Sequence, residues 1–305
     1  MPKAGPSRVR PSLLAWLSSL RVATTDQCSA LVSPHAVDSE YVRRALTQLR
    51  TDGLAESAAV GWSHQYVWFL TRAGEAAAAM ARGRDVPRRE PVRPAMVRSG
   101  VLTHALEVTA TVITLTGEEM GPECWRLEPR HRFKIGAIDQ TLRADAELRA
   151  PGLDDADAPQ ALIIELDRAT MPVFRLASEL AAYRDYARAR LAAPRRTAAA
   201  GSASVPVYAR DFPGARRLPP VLVVLSNGSP ETLARRRRRL CEQAGPAAEE
   251  SIDAGVTTLA ELQEHGPTGA IVTPLYAPDR LVRLDRLARS RAQPLLAGAG
   301  GARAA

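Results

Sequence analysis

Residues 38–53 read DSEYVRRALTQLRTDG, and the spacing of their apolar and basic side chains decides how the first part of the chain folds. Asp38 or Ser39 is placed to cap a helix that runs through Leu49 and stops at Gly53. On it Val42, Ala45, Leu46 and Leu49 recur at helical intervals and face inward. Glu40, Arg43, Arg44, Thr47, Arg50 and Thr51 share the opposite face. An apolar back with a basic, hydroxyl-bearing front is what a helix lying in a DNA groove requires. Arg43 or Arg44 has the planar fork to grip guanine through two hydrogen bonds. Arg50 suits a phosphate, where it adds affinity but no sequence information.

The flanks of this helix supply its setting. Pro11 and Ser12 open a first helix with Leu13, Leu14, Leu17 and Leu20 on its apolar side. Thr24 or Thr25 caps a second, through Ser29 to Leu31, before the break at Ser33-Pro34-His35. Downstream, Leu54 to Val60 and Gln65 to Leu70 alternate like strands around the hairpin tip Gly61-Trp62-Ser63-His64. Thr71-Arg72-Ala73-Gly74 starts another helix. Three helices, a two-stranded wing and a closing helix make a winged helix-turn-helix. Its wing tip offers His64 and Trp62 to DNA, with Tyr66 nearby; the alternative is that these side chains merely fill the hairpin.

The 305-residue chain is 46% apolar, enough for a sizeable core, and carries a net charge of +8 with a pI near 10. Only Lys3 and Lys134 are lysines, a bias that codon usage can explain. The positive balance itself points to a polyanionic partner. Cys28, Cys124 and Cys241 lie too far apart for a zinc or redox motif, and read as small buried residues in a reducing cytoplasm. No apolar run is long enough to span a membrane. The start, MPKAGPSRVRPSLLAWL, fits a first helix better than a signal peptide.

A proline- and charge-rich linker, VPRREPVRP at 86–94, separates this module from a second unit that begins near Ser99. Val101 to Leu115 has helical spacing, with Leu102, Leu106, Thr109 and Ile113 in register. Strands are expected at Cys124–Glu128, Leu142–Leu148 and Ala161–Leu166, then a long helix from Val173 to Leu191. Arg195 to Ser204 reads as a mobile loop, Val221 to Leu225 as a buried strand and Pro230 to Ala244 as a helix. Ala270 to Thr273 is a further strand, with a helix after Pro278 and a Gly/Ala-rich tail from Ala292. Consecutive early strands favour a mixed α/β sandwich over a doubly wound sheet.

Carboxylates gather on these strands. Alternation puts Asp145 and Glu147 on one strand face, and Glu165 and Asp167 on one face of the next. If the two strands pair, the carboxylates converge as hard oxygen ligands suited to Mg²⁺ or Mn²⁺. His104 and Glu107, three apart on a helix, and Glu128 are candidates to join them. The alternative is plain salt bridging, for which Arg143, Arg149, Arg168 and Arg175 stand ready. The run Arg235 to Arg239 reads equally as a DNA-backbone contact or a solvated helix face. Tyr183 and Tyr186, beside Leu176 and Leu180, read as core rather than as nucleophiles.

With the N-terminal module, His104-x-x-Glu107, Trp125-x-x-Glu128, Arg143-Ala144-Asp145, Glu165-Leu166-Asp167-Arg168-Ala169-Thr170 and Leu180-x-x-Tyr183 form a series. Over roughly residues 10–275 it resembles the replication-relaxation family of plasmids and integrative elements. That family is similar to the restriction-endonuclease (PD-(D/E)XK-type) fold and to conjugative relaxases that nick with a metal-dependent carboxylate site rather than a tyrosine. The resemblance implies an α/β (α+β) chain. Residues 10–84 are its winged helix-turn-helix, 85–98 a linker, 99–290 a restriction-endonuclease-like mixed α/β domain and 291–305 a disordered tail.

It further implies Asp145 as the motif aspartate, Glu165 as the second acidic ligand and Glu107 as a first-helix carboxylate, together holding Mg²⁺ or Mn²⁺. Asp167 stands where such a nuclease has lysine, and Glu179 where the family often has one. Arg168 or Arg175 can supply the missing charge, though arginine is no base at neutral pH. The catalytic expectation is therefore Asp145, Glu165, Asp167 and Arg168 in a metal-dependent nickase serving plasmid replication, relaxation or mobilisation. The alternative is a non-catalytic replication or transcription factor with a degenerate nuclease-like domain. Double-stranded DNA is the expected partner in either case, with a homodimer and mobilisation or replication proteins as further expected partners.

Overall fold

The computed structural model describes residues 6–35, 39–59, 66–92, 100–117, 120–149, 161–191 and 204–288. In chain order the elements are α1 (Pro6–Leu20), β1 (Ala23–Thr24), α2 (Thr25–Val32), α3 (Glu40–Thr51), β2 (Ala55–Ala59), β3 (Tyr66–Leu70) and α4 (Arg72–Ala81). There follow α5 (Gly100–Leu115), β4 (Trp125–Leu127), β5 (Arg130–Ile135), β6 (Ile138–Arg143), β7 (Ala146–Arg149), β8 (Ala161–Asp167) and α6 (Val173–Arg188). The last are α7 (Val207–Asp211), β9 (Val221–Leu225), α8 (Pro230–Ser251), β10 (Ala254–Thr258), α9 (Leu259–His265) and β11 (Thr273–Pro274). The chain is thus mixed α and β, as expected. It divides into two compact units, Met1–Pro129 with Ala144–Arg149, and Arg130–Arg143 with Ala150–Ala305.

The first unit is built around the quoted helix. Val42, Ala45, Leu46 and Leu49 of α3 are fully buried against Leu13 and Leu17 of α1, Trp68 and Leu70 of β3 and Ala78 of α4. Burying a leucine or valine side chain stabilises by about 1.5–3 kcal/mol, so this inner face fixes where α3 sits. Thr24 caps α2 in a reciprocal box with Gln27. β1, β3 and β2 form a three-stranded sheet in that order, with β2 and β3 antiparallel from Ala55↔Leu70 to Ala59↔Tyr66. α1 starts earlier than expected and keeps Pro11 inside it.

Helix α5, which the sequence places at the start of the second unit, packs in the first. Leu102 joins Val22, Val67 and Phe69 in a buried cluster. Thr109 Oγ1 donates to the Val22 carbonyl at 3.1 Å, and Gln27 Nε2 donates to that of Leu106 at 2.8 Å. The proline-rich stretch before it has no regular structure where it is described. Even so, Arg89 reaches the buried Glu75 at 3.0 Å and Val92 packs on the same cluster. Strands β4 and β7 pair antiparallel, Trp125↔Leu148 to Leu127↔Ala146.

The expected strand Leu142–Leu148 is really two. β6 ends at Arg143 and β7 begins at Ala146, in different units, because the chain breaks direction at Ala144-Asp145. β6 instead pairs with β5 in a two-stranded ribbon of the second unit, a pairing absent from the sequence expectation. In that unit β8, β9 and β10 lie parallel, with α6 and α8 as the crossovers, and β11 adds antiparallel to β10. All residues of β8, β9 and β10 are buried, as parallel strands covered on both faces must be. Within the mixed α/β class the sequence reading does not resolve this parallel run of three strands. β10, AGVTT, lacks the long apolar run by which β8 and β9 announce themselves in sequence. Beyond Pro278 the described chain holds a single 3-10 turn, Leu284–Arg286, rather than a helix. The tail from 292 and residues 195–203 of the expected loop lie outside the described residues.

Candidate functional site

The outer face of α3 has the expected composition. Arg43, Arg44, Thr47, Arg50 and Thr51 are exposed, and Glu40 is half-buried. Glu40 holds two arginines at once, Arg43 NH1 at 3.1 Å and Arg44 Nε at 2.9 Å. The arginine side chains remain 58% and 68% exposed, so these pairs contribute little to stability and exchange readily for another anion. Thr47 and Thr51 turn their hydroxyls back to the carbonyls of Arg43 and Thr47. Arg50 is held more firmly: NH1 donates to Ser57 Oγ at 3.2 Å, and the guanidinium lies 5.9 Å from the centre of the Trp68 ring. The expected wing-tip residues Trp62 and His64 lie outside the described residues, while Tyr66 is half exposed.

A second feature of the first unit gathers the early carboxylates. Asp145, in the turn before β7, accepts from His104 Nε2 at 2.9 Å in the imidazole form that carries its proton on that nitrogen. Its carbonyl accepts from the Glu128 amide at 2.9 Å. Glu128 in turn meets Arg21 NH1 at 3.4 Å. These four residues, with Leu102 and Val108, line a cavity of about 90 Å³. Arg21 and Glu128 both have left-handed backbone, φ 70° and 50°, a conformation side-chain-bearing residues adopt at some cost. Glu107 is half-buried one helical turn beyond His104. Glu147, expected to act with Asp145, is fully buried and held by Arg149 at 2.9 Å.

In the second unit, Glu165 and Asp167 stand two apart on β8 and are nearly fully buried, each with its own partner. The Tyr183 hydroxyl of α6 donates to Glu165 Oε1. Arg236 of α8 forks onto both oxygens of Asp167, NH2 reaching Oδ1 at 2.8 Å. The Ala169 amide adds a third bond to Asp167 at 3.2 Å. A carboxylate so saturated is the neutralised half of a buried ion pair, and it does not fit as a metal ligand. Arg168 is half-buried, its carbonyl accepting from Asn227 Nδ2 at 3.2 Å.

Among the described residues, no group of three or more His, Cys, Asp or Glu is gathered to hold one ion. Sequence reasoning missed Arg236 and the hydroxyl role of Tyr183. The signal was there for the first: Leu233, Arg236 and Leu240 share one face of α8, and both leucines are buried. An arginine on an apolar stripe needs a buried anion. The rest of its run divides, with Arg237 on Glu261 and Arg235, Arg238 and Arg239 exposed.

The family model described as replication-relaxation matches residues 14–200. The chain belongs to the replication-relaxation family. The match takes in α3, His104, Asp145, Glu165 and Tyr183, and stops short of Arg236. Membership implies a role in the replication or relaxation of a mobile element, and with it interaction with DNA. No curated protein and no solved structure matches the chain. Among the described residues no helix is long and apolar enough to cross a membrane.

Proposed function

We propose that this replication-relaxation protein binds duplex DNA of a mobile element through a winged helix-turn-helix, with α3 entering the major groove. The observation that carries the reading is the division of α3 itself. Four side chains are fully buried, while Arg43, Arg44, Thr47 and Arg50 stand exposed on the other side. Arg43 and Arg44 leave Glu40 for guanine edges, where each bidentate contact discriminates by about 1–3 kcal/mol. Arg50, already oriented by Ser57 and Trp68, takes a phosphate.

Binding of the full chain to fluorescent duplexes from the neighbouring element tests this. Arg43→Ala and Arg44→Ala are expected to erase the preference for element sequence. Arg50→Ala is expected to weaken all duplexes alike and to lower the salt slope by about 0.9. Unchanged binding in all three removes α3 from the interface.

In this reading the carboxylate-bearing part is a scaffold, which the Arg236 fork on Asp167 and the Tyr183 bond to Glu165 support. The second reading is a Mg²⁺- or Mn²⁺-dependent nickase. It is favoured by Asp145, a quarter exposed in its cavity beside His104. Supercoiled plasmid incubated with either cation separates the two. Open circles made by wild type but not by Asp145→Ala or Glu165→Ala support the nickase. Binding without nicking supports the scaffold.

A further inference from the structure

The β5–β6 ribbon carries a charge pattern that the duplex-binding reading does not use. Arg130, Arg132 and Lys134 alternate outward along β5, while His131 and Phe133 turn inward and are buried. Register sets Arg143 opposite Arg130 and Thr141 opposite Arg132, on the same outer side. The inner side is anchored firmly. Phe133 packs edge-on against Tyr186 with ring centres 5.3 Å apart, and His131 lies 5.3 Å from the same ring. Asp211 ties the anchor together, accepting from the Tyr186 hydroxyl at 2.6 Å and bonding His131 Nδ1 at 3.1 Å. Arg210 pairs with Asp211 at 2.7 Å and braces the Arg132 carbonyl at 2.8 Å.

Between this ribbon and the end of α6 runs an open groove of about 940 Å³. Its lining includes five cations, Arg132, Lys134, Arg188, Arg190 and Arg210, against the two carboxylates Asp139 and Asp185. Both carboxylates are committed, Asp139 to Lys134 at 3.5 Å and Asp185 to Arg184 at 3.0 Å. Among the described residues no carboxylate pairs with Arg132 or Arg190, and both are exposed. Arg190 NH1 is held by the carbonyls of Ala187 and Arg188, each at 3.2 Å, which orders a cation at the end of α6. Of its apolar lining residues, Phe133 and Val207 form a buried floor, while Ile135 and Leu191 keep part of their surface exposed. Ile135 and Ile138, at the ribbon's turn, are 46% and 64% exposed.

We infer that this groove binds a single strand of DNA, its phosphates on Arg132, Arg188 and Arg190 and its bases against the apolar lining. The choice of strand follows from the lining. A duplex hides the faces of its bases, whereas an unpaired strand offers them to apolar side chains between cations. The inference rests on the DNA-processing reading above but uses different residues, so the two can fail separately.

The test is binding of the full chain to fluorescein-labelled oligo-dT, beside an element duplex and polyglutamate. Arg132→Ala/Arg190→Ala is expected to weaken oligo-dT binding about tenfold and to lower its salt slope by about 1.4, roughly 0.7 for each phosphate that goes without its arginine. Duplex binding through α3 should be unchanged. Arg132→Glu, an exposed single substitution, should act in the same direction with an unaltered Tm. Oligo-dT binding that is absent in wild type, unaffected in the variants or matched by polyglutamate overturns the groove. If duplex binding persists in those cases, the α3 reading stands. Binding to neither nucleic acid removes both.

Discussion

Single side chains in this protein are defined by which charge they face. Asp167 is nearly fully buried, and Arg236 is the cation that permits it. Removing one partner of a buried pair costs about 3–5 kcal/mol because the other charge is left unsolvated. Arg236→Ala is therefore expected to lower the unfolding midpoint in urea sharply, while the exposed Arg239→Ala leaves it nearly unchanged. Equal effects would mean that the run acts as one solvated face. Asp211 behaves differently. Burial pushes its carboxyl up, but hydrogen bonds from Arg210, Tyr186 and His131 outweigh that and hold it at about 2, below the ordinary 3.8. A carboxylate depressed by folding stabilises the native state above its ordinary value, and that contribution fades as pH falls from 3.8 towards about 2. Asp211→Asn should be less stable than wild type at neutral pH. It should also lose part of the acid-induced drop in Tm across that window. Cys28, whose thiol burial pushes up to about 12, has the inert core role expected of it.

At the scale of the element, α4 shows sterics overruling propensity. Gly74 lies in its first turn, where alanine would favour a helix by about 1 kcal/mol. A Cβ there would stand 1.9 Å from the Leu54 carbonyl oxygen, which already accepts from the Thr71 amide at 3.1 Å. Backbone cannot yield as a flexible side chain does, so overpacking, about 1–3 kcal/mol, wins. Gly74→Ala is expected to lower Tm, and a rise would show that the β3–α4 corner can open. α3 was readable from sequence because its apolar period and its burial coincide residue by residue. The β5–β6 ribbon was not, although RHRFKI alternates. Its apolar side has only His131, Phe133 and Ile135, and histidine does not register as core until Asp211 and Tyr186 close over it.

For the whole molecule, the net charge of +8 sets how it meets a polyanion. Duplex affinity is expected to fall linearly with the logarithm of salt concentration, by about 0.9 for every phosphate contacted. A measured slope near zero would separate the charge from DNA binding altogether. The candidate carboxylates show how far sequence can reach at this scale. Residue types at 104, 107, 145, 165 and 167 were evident, but not whether each meets a cation, a hydroxyl or an imidazole. Those partners come from α5, α6 and α8, up to 69 residues distant in sequence. The sequence by itself determined the N-terminal helices and hairpin, the inner and outer faces of α3, the mixed α/β class and the family. It could do so because periodicity, caps and turn residues act over a few neighbours. Tertiary structure alone decided that α5 joins the first unit, that residues 142–148 break into two strands, that β8, β9 and β10 run parallel, and that Arg236 neutralises Asp167. Each depends on which distant surfaces bury one another, and no local pattern carries that information.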